Sequence, residues 1–469
     1  MKFERFKSIL LIMLVISSIV LTGNKWFNEE LWPGGYDFFS RVKLLFSSDD
    51  TDNLISFNPN EKILKPSKII INSSGNHNLF TKSSDKYQIF YEELVEIMRL
   101  GIASDKFETS SIEEWNANLQ SKSCYFTYPV AYNSGYFSSQ LSTKYSGGFS
   151  GFKEFLVLSD LRLPSVVHLY IKDVYSNNVQ KSKIPFESNI ISSAIENLQS
   201  SDGNMTYYSF ELNFDSNNDD SVEQAIIIDP DVLISISPKY LPDIKENRLF
   251  YNIHENDILY NKILSLFGYN TSNIRKYVES DNSIVFVENY STLKLHTNDL
   301  LDYRSVNSNN GIRLDGASIY DSMNSCITFV NNVMECLNLS DGMYYEISSD
   351  IGDVNSKTFT MTFDYYLNDN MIVIPSGNYP ISHAVVVEVS NGKITSYQQI
   401  CKTFYGSGDS ILCSSAIEAI DKIPSKTGGG STISDIFLAY SFDISTYKWN
   451  PLWYIEDSNG EFYTIVSGG

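Results

Sequence analysis

Hydrophobic residues follow three patterns along the chain, and each pattern predicts a different kind of element. One unbroken run of apolar or small residues fills positions 8–23. Several later segments repeat apolar residues every three to four positions, which indicates amphipathic helices, and most of the remainder alternates apolar and polar residues, which indicates strands. We therefore predict an α+β fold: one N-terminal membrane helix, followed by antiparallel sheets with helices packed on them.

The helical period is clearest in two segments. Residues 83–101 begin after Ser83 or Ser84, end at Gly101 and place five apolar side chains on one stripe: Ile89, Phe90, Leu94, Ile97 and Met98. Residues 318–339 keep a helical period over their whole length. A helix followed by three strands occurs twice, near 256–304 and near 413–466, which suggests that the last two units are related.

The C-terminal third has the strongest strand pattern. The dipeptide Asn391–Gly392 between two alternating runs predicts a hairpin turn. We predict one core for this region, in which two strand faces pack under a helix that carries Ile417 and Ile420. The two faces consist of Phe359, Met361 and Phe363 on one strand and of Val385, Val387 and Val389 on another.

Polar and turn-forming stretches divide the chain into predicted parts. The N-terminal parts are a cytoplasmic arm at 1–7, a transmembrane anchor at 8–25, and a juxtamembrane segment and linker at 26–66. Three α+β domains follow: an N-terminal domain at 67–250, a central domain at 251–350 and a C-terminal domain at 351–469.

The composition argues against several function classes. The chain has 56 acidic and 35 basic residues and a net charge of −21, so its surface repels phosphate backbones and we predict no nucleic-acid partner. The five cysteines contain no C-x-x-C pair and do not form a disulfide scaffold. The five histidines lack metal-ligand spacing, and no glycine-rich phosphate loop is present, so we predict neither metal nor cofactor.

One set of motifs keeps an enzymatic alternative open. Lys426, Thr427 and Gly428 form the K-T-G triplet of penicillin-recognising serine enzymes, and Ser83 with Lys86 has the S-x-x-K spacing that places a lysine one helical turn from a serine nucleophile. The same spacing recurs at 150–153, 291–294 and 445–448, so it carries little information here. A serine acyl-enzyme is therefore an alternative function, and a ligand-binding, wall-associated ectodomain is another.

Several segments resemble the YycH family. The opening "KFERFKSILLIMLVISSIVLTGNKW" is similar to the basic arm and single membrane helix of that family, and "LFGYNTSNIRKYVESDNSIVFVENYSTLKLHTNDLLDY" is similar to its central meander. "FTMTFDYYLNDNMIVIP", "HAVVVEVSNGKITSYQQ", "SSAIEAI" and "ISDIFLAYSF" resemble its C-terminal domain. The order of these elements carries the resemblance, which covers residues 1–30 and 250–469.

The resemblance implies a function without catalysis. YycH-like proteins are single-pass membrane proteins of Gram-positive bacteria with an extracytoplasmic region. They act with a YycI-like membrane protein on the WalK (YycG) sensor histidine kinase of a two-component system that governs cell-wall metabolism. The expectation for this chain is therefore a non-enzymatic regulator that contacts these two partners. The family offers no active-site residues to carry over.

The N-terminal run is predicted to remain as a signal anchor. Lys2, Arg5 and Lys7 precede it, which places the N-terminus in the cytoplasm and the C-terminal region outside the cell membrane. The residues before Gly23 do not form a good cleavage site. The apolar anchor residues are Ile9, Leu10, Leu11, Ile12, Met13, Leu14, Val15, Ile16, Ile19, Val20 and Leu21. Ser17 and Ser18 are the polar groups at mid-membrane depth and are the candidates for contact with a partner helix.

Overall fold

The computed structural model describes residues 65–467 except 74, 105, 145–148, 161–162, 164, 177, 198–203, 213–226, 252, 254–255, 271–273, 289, 317, 339–341, 352–356, 376 and 424–431. All of these described residues belong to one compact unit that spans residues 58–469. The predicted α+β class is confirmed for this part of the chain, which is mostly sheet with seven α-helices. The predicted membrane helix lies outside the described residues.

The helices in chain order are α1 (Tyr87–Ala103), α2 (Ile112–Leu119), α3 (Ser134–Gln140), α4 (Ile190–Asn197), α5 (Asp257–Leu266), α6 (Ile319–Leu337) and α7 (Ala416–Ile420). The first ten strands are β1 (Lys68–Ser73), β2 (Asn76–Phe80), β3 (Glu108–Ser110), β4 (Ser123–Asn133), β5 (Gly151–Ser159), β6 (Val166–Asp173), β7 (Val179–Pro185), β8 (Asn204–Tyr208), β9 (Ile227–Ile228) and β10 (Leu233–Ile234).

The remaining strands are β11 (Lys239–Arg248), β12 (Arg275–Val278), β13 (Ile284–Glu288), β14 (Ser291–Leu295), β15 (Leu300–Ser305), β16 (Ile312–Arg313), β17 (Met343–Ile347), β18 (Thr358–Leu367), β19 (Asn370–Val373), β20 (Val385–Ser390), β21 (Lys393–Ile400), β22 (Lys402–Cys413), β23 (Thr432–Asp443), β24 (Lys448–Asp457) and β25 (Phe462–Val466).

The strands form two sheets. The first has the order β10-β8-β2-β1-β4-β5-β6-β7-β3, and the second has the main order β12-β13-β14-β15-β21-β20-β18-β19-β23-β24-β11-β22. Most pairs are antiparallel as predicted, but β19 and β9 both pair with β23 in parallel. Strands from residues 251–350 and 351–469 share the second sheet, because β15 pairs with β21. The division at residue 350 and the relatedness of the last two units therefore stay predictions.

The long helix α6 follows its sequence signals closely. Ser318 caps its start and forms a capping box with Asp321, and Asn338 ends it in the left-handed region. Helix α1 differs in detail from the prediction. It begins after Lys86 without a side-chain cap, continues through Gly101, and leaves Ile89 about half exposed at 49%.

The predicted strand faces of the C-terminal region are buried, but the predicted covering helix is wrong. Met361, Phe363 and the three predicted valines of β20 lie in the core, and Phe359 is half-buried. The Sδ atom of Met334 on α6 accepts hydrogen bonds from Tyr365 on β18 and Gln399 on β21, at 3.7 and 3.1 Å. Helix α6 therefore covers this face. Helix α7, which carries Ile417 and Ile420, instead begins where the Ala416 nitrogen donates to the Ser235 carbonyl.

The hairpin signal at Asn391–Gly392 is confirmed. Both residues adopt positive φ, 52° and 70°, between β20 and β21. Two consecutive residues with positive φ are the requirement of a type I′ turn, and Asn followed by Gly meets it with little strain.

A contact region, here called the joint, connects the two sheets. On the side of the first sheet its residues are Lys82, Ser83, Ala131, Asn133 and Tyr136, and on the side of the second sheet they are Asn324, Glu346, Asp350, Ile351 and Asp369. The main chains also meet, since the Asn133 nitrogen donates to the Ile351 carbonyl at 2.7 Å and the Ile351 nitrogen donates to the Ala131 carbonyl at 2.9 Å. The joint therefore combines side-chain and main-chain bonds.

Two buried carboxylates of the second sheet lie opposite each other beside the joint. Glu346 on β17 and Asp364 on β18 are directly opposite each other, and both are buried, at 6% and 2% exposed. Each has its own basic partner. The Lys82 ammonium, which also lies 5.4 Å from the centre of the Tyr344 ring, pairs with Glu346, and His383 bonds Asp364. Removing either partner would leave like charges side by side in a dry environment.

Candidate functional site

The predicted anchor cannot be located in the structure. Residues 1–64, with the anchor side chains, Ser17, Ser18 and the flanking basic residues, lie outside the described residues, and so do Lys426, Thr427 and Gly428. Across the described ranges, no helix combines the length and apolar character needed to cross a membrane.

Ser83 and Lys86, the part of the acyl-enzyme motif that the structure describes, do not have the geometry of a catalytic pair. Ser83 lies in the turn before α1, which begins only at Tyr87, so Ser83 and Lys86 are not one helical turn apart on a helix. The Ser83 hydroxyl donates to the Asp369 carboxylate, which also accepts from the Tyr344 hydroxyl at 2.9 Å. Ser83 therefore helps to hold the joint together, and this geometry gives no support to a serine nucleophile.

A serine, a histidine and an aspartate meet near the joint, but not in a catalytic arrangement. Nδ1 of His383 lies 3.0 Å from Asp364 Oδ2 and 3.2 Å from the Ser348 hydroxyl. A catalytic triad needs the serine on the other ring nitrogen, Nε2, so that the aspartate can orient the ring while Nε2 takes the proton. The hydrogen bond to Asp364 raises the pKa of His383, which suits a structural ion pair.

A small recess of about 30 Å³ lies at one end of the second sheet. Side chains from β11, β21, β22, β23, β24 and the 374–379 segment line it. Phe404 and Trp449 meet edge to face with ring centres 4.9 Å apart, and Phe442 lies 5.3 Å from Trp449. The remaining walls are formed by Ile374, Pro375, Asn378, Tyr379 and Ile400. We call this surface the aromatic recess.

The aromatic recess contains two charges that neutralise each other. The Lys402 ammonium lies 2.9 Å from both carboxylate oxygens of Glu246, and the Trp449 indole donates to the same carboxylate at 3.1 Å. Lys402 also lies 6.0 Å from the centre of the Tyr379 ring. Burial raises the pKa of the Tyr379 hydroxyl, and Lys402 opposes this rise. The recess is thus apolar in its walls and close to neutral in charge.

A second ion pair fixes the strands next to the recess. Asp299, in the turn between β14 and β15, accepts from Arg248 Nε at 2.8 Å and from the Phe250 nitrogen at 2.7 Å. Burial raises the pKa of Asp299, and the bond from Arg248 counteracts that rise. The preceding residue, Asn298, accepts at its carbonyl from the Tyr379 hydroxyl at 3.0 Å. These bonds hold one wall of the recess in place.

The hairpin between β23 and β24 adjoins the recess, because Phe442 and Trp449 flank its tip. Ile444 and Tyr447 at the tip are 58% and 79% exposed. Asp443 accepts hydrogen bonds from Ser445 and Thr446, which lower its pKa to about 2 and fix the tip. Tyr447 has a φ of 54°, in the left-handed region that bulky residues seldom occupy.

Sequence reasoning did not single out the recess or this hairpin. The residues that form them are spread from 246 to 449, so no local motif marks the recess. Ser445–Lys448 was interpreted only as another S-x-x-K spacing. The same segment also contains a turn signal, because Asp443 followed by Ser445 and Thr446 is typical of a turn capped by an aspartate side chain. No group of three or more potential metal ligands occurs among the described residues.

Comparisons with known proteins identify the fold. No protein-family profile and no curated protein sequence matches the chain. The solved structure of YycH from Bacillus subtilis superposes with a TM-score of 0.57 at 12% identity, covering 87% of this chain and 96% of that one. An uncharacterized protein from Eubacterium rectale gives a TM-score of only 0.29 over 48% of this chain and 82% of its own, also at 12% identity. The predicted resemblance is therefore confirmed at the level of the fold: this chain has the fold of YycH.

Proposed function

We propose that this protein is a membrane-anchored regulator of a cell-wall sensor histidine kinase. The observation that carries the proposal is the likeness to YycH over 87% of this chain and 96% of the other. A match over nearly the whole of both chains favours a shared mode of action more than a match to one small domain would. The geometry of Ser83 and of His383 gives no competing support to a hydrolytic function.

The regulator acts by contact and not by chemistry. Residues 8–25 cross the cell membrane with the N-terminus in the cytoplasm, and the C-terminal region lies outside the membrane. Ser17 and Ser18 contact the transmembrane segments of a WalK-like kinase and a YycI-like protein. Because a hydrogen bond between membrane helices contributes only about 0.6 kcal/mol on average, the helix alone is a weak contact and the extracytoplasmic region supplies the rest.

The decisive experiment compares deletion of the protein with replacement of its anchor. Residues 8–23 are exchanged for a leucine span, and kinase output is measured with a wall-hydrolase reporter. We expect deletion to change output strongly and the exchange to change it partly. Unchanged output after both alterations would refute the proposal. A fluorescent penicillin provides the control for the acyl-enzyme alternative, since stoichiometric labelling that is lost in Ser83→Ala would establish that alternative.

A ligand-binding ectodomain is the other alternative, and the aromatic recess gives it little support. Its volume of about 30 Å³ is far below the roughly 300–1,000 Å³ of small-molecule pockets. The charged groups of the recess are already paired with each other, so few polar groups are left to orient a small ligand. This candidate therefore ranks below the regulator.

A further inference from the structure

A fully buried histidine in the first sheet lies between two hydrogen-bond acceptors. The Nδ1 atom of His77 on β2 lies 2.7 Å from the side-chain oxygen of Asn72, and its Nε2 atom lies 2.9 Å from a carboxylate oxygen of Glu211, in the turn after β8. A neutral imidazole donates from one ring nitrogen and accepts at the other. Both contacts are therefore hydrogen bonds only if the His77–Glu211 pair holds one proton more than a neutral ring and an ionised carboxylate do together.

The orientation of the Asn72 side-chain amide follows from two further partners. Its nitrogen donates to the Ser123 hydroxyl at 2.9 Å, and its oxygen accepts from the Tyr208 hydroxyl at 3.2 Å. Turning the amide over would place its nitrogen beside the fully buried Tyr208 hydroxyl and deprive that hydroxyl of this acceptor, which is costly in a dry site. The amide oxygen therefore faces His77, and Nδ1 is a donor. The additional proton of the pair lies between Nε2 and Glu211.

The turn that carries Glu211 is tied to the second sheet through one further segment. The Ser209 nitrogen donates to the Val232 carbonyl at 2.9 Å, and the Ser209 hydroxyl donates to the Asp229 carbonyl. The Asp229 nitrogen in turn donates to the Ile433 carbonyl of β23 at 2.9 Å, beside the parallel pairing of β9 with β23. We call residues 208–211 and 227–234 the strap. A bond that fixes Glu211 therefore fixes a segment that joins the two sheets.

We propose that His77 and Glu211 form a proton-dependent clamp, which acts independently of any partner protein. While the pair holds its additional proton, the strap is fixed to the first sheet, and when the proton leaves, the turn separates from β2 and the strap opens. Without that proton, two acceptors face each other at 2.9 Å, one of them negatively charged, and neither can satisfy the other. The Glu211 side chain is 21% exposed, so it has a route to water.

The direction of the pH dependence follows from the exchange of this proton. A histidine in contact with water is largely neutral above about pH 7, so the opened strap releases the proton that the closed strap binds. The state that binds fewer protons is favoured as the pH rises. The strap should therefore open with rising pH and close with falling pH.

The neighbouring ionisable groups of the described residues have other states. Burial raises the pKa of the Tyr208 hydroxyl, whose ring lies 4.8 Å from the His77 ring, and burial also raises the pKa of the Cys124 thiol, which acts on Tyr208. Both groups therefore stay neutral well above pH 7. In the strap itself, Asp231 is paired with Lys172 at 2.8 Å. Burial and the Asp231 charge raise the pKa of Asp229, so a test of the clamp has to separate Asp229 from His77.

The test is hydrogen exchange of the full-length protein, measured by mass spectrometry between pH 6 and pH 9 and corrected for the intrinsic exchange rate at each pH. Peptides from the strap are compared with peptides from β5 and β6 of the same sheet. In Glu211→Gln, the side-chain amide donates to a neutral ring without the additional proton. His168→Gln is the matched control, because it removes the histidine–carboxylate pair with Asp160 on β6, at 3.1 Å, and Asp229→Asn removes the strap's own acid.

We expect the corrected exchange of the wild-type strap to rise with pH by up to about tenfold per pH unit, the limit for one released proton, while β5 and β6 keep their protection. Glu211→Gln should keep the strap protected at every pH, and His168→Gln and Asp229→Asn should keep the wild-type profile. The clamp is wrong if wild-type strap protection is independent of pH, if Glu211→Gln keeps the wild-type profile, or if either control removes it. The deletion experiment tests the proposed function separately, so that function stands or falls on its own.

Discussion

The joint and the aromatic recess contain the same kinds of group in different settings. Each contains a lysine–glutamate pair beside aromatic rings, Lys82 with Glu346 and Lys402 with Glu246. In the joint the pair connects segments 264 positions apart, and the Glu346 side chain is 4% exposed. In the recess the pair connects two neighbouring strands of one sheet, the Glu246 side chain is 24% exposed, and the adjoining hairpin exposes Tyr447. Because a more deeply buried carboxylate depends more on its cation, the difference indicates that the joint pair contributes more to the fold.

The largest effect should come from breaking the joint. In Lys82→Met, Glu346 loses its cationic partner next to buried Asp364 on the adjacent strand. An uncompensated buried charge of this kind costs about 3–5 kcal/mol of unfolding free energy. Chemical denaturation measures this loss, and Lys86→Met, an exposed lysine in the same turn, is the control. Equal stability of the two variants would show that the Lys82 contact contributes little.

A core substitution under α6 should have the next largest effect. Val387 is fully buried and pairs across strands with Met361 and Tyr397. Val387→Ala should lower the unfolding free energy by about 1–3 kcal/mol through lost burial and a residual cavity. Its neighbour Val386 points to the opposite face and is partly exposed, so Val386→Ala should cost less. The denaturation midpoints of the two variants test the assigned face directly.

The core under α6 could be predicted from the sequence, and the joint could not. The period of α6, the Asn391–Gly392 turn and the buried faces of β18 and β20 depend on local patterns, and all were predicted. The joint was not, because Lys82 and Glu346 are 264 positions apart and nothing local to either residue indicates its partner. The choice of α6 over α7 as the covering helix is likewise a matter of tertiary packing that amphipathic patterns alone leave open.

The recess was missed for a further reason. Its walls come from strand ends and a loop spread over the chain, so their proximity follows only from the strand order of the second sheet. The left-handed conformation of Tyr447 could not be predicted, because this residue departs from the usual residue preference of turns. Turn chemistry calls for Gly or Asn at a left-handed position, and a tyrosine there gives no turn signal.

A substitution at the hairpin should raise the unfolding free energy, whereas a substitution in the joint should lower it. Tyr447→Asn relieves a left-handed conformation that costs a bulky residue about 1–2 kcal/mol, and loses one peripheral ring contact with Phe442. We expect the unfolding free energy to rise by up to about 1 kcal/mol. Thermal or chemical denaturation measures the change. A clear loss of stability would mean that the Tyr447 ring serves the fold, which would remove the contrast between the recess and the joint.

The smallest effect concerns the pH dependence of the ion pair between His383 and Asp364, the carboxylate opposite Glu346. The hydrogen bond to Asp364 raises the pKa of His383 above its ordinary value of 6.5. A raised pKa in the folded state means that the stabilisation is fully present below pH 6.5 and is lost as the pH rises through the raised value. Because the His383 side chain is 35% exposed, solvent screening should keep this contribution below about 1 kcal/mol.

Unfolding free energies between pH 6 and pH 9 test this contribution. Wild type should lose stability with rising pH more steeply than His383→Asn, which has no charge to lose. His296 supplies the control, because burial lowers its pKa and its linkage therefore acts below pH 6.5, with stability falling as the pH falls. His296→Asn should leave the slope above pH 6.5 unchanged. If His383→Asn keeps the wild-type slope, Asp364 does not depend on a charged His383, and the interpretation that each of the two opposed carboxylates has its own cation is wrong for Asp364.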